Sequence, residues 1–265
     1  MTDEPALGAA LHFDHELASD PEPFAVLARA LFGERSDGEF THFFIPDSPR
    51  KARPGVPLNL KKLVERINEG TTWSAAVGTA ARTPDPDEMR ISANTVPAHR
   101  PSRSLTKCRY AFDAAFGAHR LRELGAKRVL DLVIGFADAV AARAGVVQWA
   151  TSTVYASCLA MGGGSDRLTR EQRSHVTDLL YWQPRWGDVI RGPQWGTFLG
   201  AAHVTTLGGI ARIERESGCA RVVALGSGGA FLQATPIEQP IVEDSDNGGV
   251  LARLAAFLAP VMGKR

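Results

Sequence analysis

The side chains best suited to chemistry are scattered along this chain. "HFDHE" sets His12 and His15 beside Asp14 and Glu16, which are ligand types of a metal site. On a strand, positions three apart point to opposite faces, and a helical zinc motif needs histidines four apart. The pair therefore reads as one half-buried and one exposed imidazole. "LGSGGA", from Leu225 to Ala230, has the glycines of a phosphate loop but no Lys-Ser/Thr after them. A tight hairpin needing positive φ explains these glycines better. "GGGSD", from Gly162 to Asp166, is not the Gly-x-Ser-x-Gly of a nucleophile elbow, and Ser165 or Asp166 fits a helix cap. The carboxylate pairs Asp85/Asp87 and Asp244/Asp246 lie between prolines and glycines. A general acid there would need burial to raise its pKa, whereas such loops are solvated. His175, Asp178 and His203 are the remaining group, and would mark a dispersed active site if the chain were an enzyme. No nucleophile, base and oxyanion hole assemble along the sequence, although such groups can come from distant residues, and no cofactor or metal ligands are expected.

Bulk properties narrow the class. The chain has 265 residues, 44% of them hydrophobic, which is enough for a substantial core. A net charge of +1 argues against a dedicated nucleic-acid binder. The densest basic run, His99, Arg100, Arg103, Lys107 and Arg109, is the place where direct nucleic-acid contact would arise, and none is expected. Cys108, Cys158 and Cys219 have no zinc-ligand spacing and read as free thiols in a reducing compartment. The first residues lack a basic segment leading into an apolar one, and no long apolar run follows. A cytoplasmic location with no membrane contact is expected.

Periodicity supplies the elements that must position these groups. Ala10–Leu17 alternates as a strand, and Asp20 can cap a helix carrying Phe24, Leu27 and Leu31 on one face. Phe40–Ile45 predicts a strand, Leu60–Gly70 an amphipathic helix, and "TTWSAAVGTA" a strand. Arg82–Ser104 reads as the longest irregular stretch, followed by extended "KCRYAFDAAF". The longest helix is predicted from Ala126 to about Ala144, closed by Gly145. A strand and a short helix capped at Thr151 or Ser152 follow, then a helix over Leu168–Trp182. Two helical pieces broken at Gly208-Gly209, a β-hairpin and a terminal helix complete the chain. The fold class is α+β, with mixed or antiparallel sheets and packed helices. Residues 1–265 read as one domain, and a division into two lobes near residues 115–125 stays open.

"RGPQWGTFLG" concentrates turn residues around one tryptophan. Arg191, Gly192, Trp195 and Leu199 form a corner, Leu207, Gly208 and Gly209 a turn, and Gly228, Gly229, Leu232 and Gln233 a glycine-rich hairpin ending in an apolar-Gln strand. Together these pieces resemble the type VI immunity family, bacterial proteins encoded beside type VI secretion effectors that include VRR-Nuc-type nucleases. The match is best over about Tyr181–Leu258. Where that family often carries a Gly-Asp pair after the Gln strand, this chain reads "PIEQPIVEDSDNGG". The resemblance implies an inhibitor that binds and neutralises a cognate effector toxin, with a nuclease as the expected target. Acidic groups would then suit a basic, DNA-binding surface. The candidates are Asp85, Asp87 and Glu88, together with Glu243, Asp244 and Asp246. The corner itself reads as a builder of fold, with Trp195 in the core.

Overall fold

The computed structural model describes residues 5–17, 20, 22–32, 74–78, 89–95, 110–161, 168–174, 189–190, 192–242 and 249–263. Eight strands form one sheet: β1 Ala6–Phe13, β2 Ser74–Gly78, β3 Met89–Thr95, β4 Tyr110–Phe116, β5 Ala144–Ala150, β6 Gly196–Leu199, β7 Arg221–Ala224 and β8 Ala230–Gln233. Their order is β2-β3-β4-β1-β5-β6-β8-β7, and every neighbouring pair is antiparallel. The helices are α1 Glu22–Phe32, α2 Ala118–Leu124, α3 Ala126–Ala139, α4 Thr153–Met161, α5 Ala201–Thr206, α6 Ile210–Glu216 and α7 Val250–Leu258. The class is α+β, and strands from both sides of residues 115–125 share the sheet.

Strand β1 explains the layering. All eight of its residues are buried. Leu7, Ala9, Leu11 and Phe13 alternate with Ala6, Gly8, Ala10 and His12, so the period of two puts most of the bulk on one face. On that face Phe136 of α3 meets Phe13 edge-on at 5.9 Å, Phe112 of β4 at 4.7 Å and Phe24 of α1 at 6.4 Å. The opposite face carries the small residues Ala6, Gly8 and Ala10 ahead of His12, and α4 lies directly on it at Gly8. A Cβ added at Gly8 would stand 2.3 Å from the carbonyl oxygen of Ala156. Ser152 receives the Tyr155 N–H at 3.2 Å and caps this helix as its sequence suggests.

Three segments depart from the pattern read in the sequence. β1 runs from Ala6 to Phe13 rather than from Ala10 to Leu17, which leaves His15 beyond the strand. Met89–Thr95, inside the stretch expected to be irregular, is β3, and its apolar residues Met89, Ile91 and Ala93 are buried. The long helix stops at Ala139, and Ala144–Ala150 is strand β5. Its end is a Schellman motif: Ala142 N–H donates to Ala137 O and Ala141 N–H to Asp138 O. Ala141 holds the left-handed position at φ +48° that glycine usually fills. Without that glycine signal, the first plausible stop in the sequence is Gly145. Gly145 instead lies in β5, where a Cβ would meet Leu11 Cδ2 at 2.5 Å.

Thr169 forms the capping box of the next helical turn, exchanging bonds with Gln172 at 3.2 and 3.0 Å. Phe40–Ile45, Leu60–Gly70 and Gly162–Asp166 lie outside the described residues.

The glycines give a direct test of the layering. Gly8→Val should destabilise the protein by about 3 kcal/mol, because backbone rather than a flexible side chain blocks the added atoms. Gly135→Ala, in α3 with open space around its Cβ, should stabilise by about 0.5–1 kcal/mol. Urea unfolding of both variants checks the pair, and a mild effect at Gly8 would contradict the α4–β1 contact.

Candidate functional site

The corner turns at Gly192, where φ is +144°. Ile190 N–H donates to Val261 O and Gly263 N–H to Ile190 O, which ties the approach to the C-terminal segment. Gln194 N–H is received by Thr197 Oγ1 at 3.1 Å. Trp195 is buried, donates from Nε1 to Thr235 Oγ1 at 3.1 Å, and meets Trp149 edge-on at 5.7 Å. Gly196 then lets Phe231 pack across the strand, since a Cβ there would stand 2.8 Å from its ring. Leu199 is fully buried, and Gln233 donates from Nε2 to Thr235 O at 2.8 Å.

The other glycines of the pattern serve the same assembly. Gly208 and Gly209, at φ +89° and +90°, separate α5 from α6. Gly228 has φ +85° in the β7–β8 turn, and a Cβ at Gly229 would lie 2.6 Å from Leu199 O. The corner and the hairpin, far apart in sequence, meet as paired strands β6 and β8. Arg191 lies outside the described residues.

Two aspartates in α3 clamp this hairpin. They sit seven residues apart, two helical turns along one side. Asp131 receives Arg221 Nη1 at 3.1 Å at the start of β7, and Lys127 at 2.5 Å. Asp138 receives the N–H groups of Gly226 at 3.0 Å and Ser227 at 2.8 Å at the hairpin tip. Partial burial pushes both carboxyls up. Their donors outweigh it, so each is held below the ordinary aspartate range: Lys127 and Arg221 at Asp131, and the Ser227 and Gly226 amides at Asp138. The sequence signal was visible as two acids in the apolar run of this helix, but the hairpin partners lie about ninety residues away.

Beside this clamp the end of α3, the start of α5 and the hairpin tip enclose a cleft of about 310 Å³. Ala141, Ala142, Arg143, Gly200, Ala201, Ala202, His203 and Ser227 line it. Its frame is tightly bonded. Arg143 N–H donates to His12 O, and Gly200 N–H donates to Arg143 O. A Cβ at Gly200 would lie 2.7 Å from that same oxygen. The Arg143 guanidinium holds Asp14 at 2.7 Å, an exposed ion pair that joins the end of β1 to the cleft wall.

Other candidates fall apart from the cleft. His12 is buried in β1, while His15 lies near Asp20, with Nε2 2.9 Å from its backbone oxygen. Among the described residues no three His, Cys, Asp or Glu side chains gather as metal ligands. His203 is buried at the cleft, and its sequence-stretch companions His175 and Asp178 lie outside the described residues. So do Asp85, Asp87, Glu88, Glu243, Asp244 and Asp246, the basic run from His99 to Arg109, and Cys108. Burial raises the thiols of Cys158 and Cys219, the latter against a bond with Ser217, which keeps them protonated.

The clamp carries a pH signature. A carboxyl with a lowered folded pKa contributes stability above its unfolded value, near 3.9, and loses it as pH falls through the folded value. Asp138→Asn should therefore cost about 1–2 kcal/mol near neutral pH. The gap from the parent protein should close in acid. Urea unfolding across that range tests this, and a gap that persists in acid would contradict it.

No family model matches the chain, and no curated protein does. Among solved structures, the Pseudomonas aeruginosa T6SS protein PA0821 is similar with a TM-score of 0.62 and 11% identity, over 97% of this chain and 73% of that one. At that identity the two chains share a fold.

Proposed function

We propose that this protein is an immunity protein, which binds a cognate type VI secretion toxin and neutralises it without turnover. The observation that carries this reading is the likeness to a T6SS protein over nearly the whole chain. The second support is the corner, turn and hairpin pattern, which in sequence resembles that of the immunity family. Its described residues are spent on one connected half of the sheet, which suits a scaffold that presents a surface.

An inhibitor of this kind acts by occlusion. A nuclease toxin binds its polyanionic substrate on basic surface, so acidic groups of the inhibitor compete for it. Asp85, Asp87, Glu88, Glu243, Asp244 and Asp246 are the proposed contacts for that surface. The target is DNA in the cell interior, so the inhibitor acts in the cytoplasm. Among the described residues no helix is long and apolar enough to cross a membrane.

Co-expression tests the function. A candidate type VI effector, expressed alone, should arrest a sensitive bacterium, and growth should recover when this protein is present. The two should also co-purify. Continued arrest with no complex would sink the immunity reading.

A further inference from the structure

We draw no further inference here: the strongest candidate, the outer edge of strand β7 at the end of the sheet, which pairs with β8 alone among the described strands, carries nothing because nothing in the structure shows what covers it.

Discussion

Everything in this fold depends on one strand that is hydrogen-bonded along both edges. β1 pairs with β4 on one side and β5 on the other, so it joins β2, β3 and β4 to the last four strands. That position demands a strand that can be buried on both faces. The chain meets the demand asymmetrically. Leucines and a phenylalanine face the aromatic cluster under α1 and α3, and alanines and a glycine face α4. Neither face tolerates the other's residues. A larger side chain at Gly8 would displace α4, and a smaller one at Phe13 would open the cluster around Phe136.

The same strand reaches the cleft. Near its end His12 O receives Arg143 N–H, and just beyond it Asp14 holds the Arg143 side chain. From there the bonds pass to Gly200, and the packing passes to the β7–β8 hairpin that α3 clamps through Asp131 and Asp138. Four segments distant in sequence are thereby fixed around one small space. This geometry separates the glycines into two kinds. Gly8, Gly145, Gly196, Gly200 and Gly229 permit close approach, whereas Gly208, Gly209 and Gly228 permit a backbone angle.

Local chemistry explains which parts were legible in the sequence. The hairpin, the Gly208-Gly209 break, the Ser152 cap and the buried corner around Trp195 all depend on residues close together in the chain, and each is visible there. The end of α3 was misread because Ala141 takes a glycine's angle without being glycine. β3 was misread because its short alternating run is flanked by prolines and acids typical of loops. The cleft was not legible at all. Most of its walls are alanines and glycines with no chemical signature of their own, and the ion pair of Arg143 with Asp14 spans 129 positions.

The central proposal, that this protein binds a cognate type VI toxin and neutralises it without turnover, is tested most directly by titrating the purified toxin with this protein and following the toxin's activity. Immunity predicts a stoichiometric complex and loss of toxin activity at the equivalence point. Full toxin activity at a molar excess of this protein, with no complex formed, would contradict it.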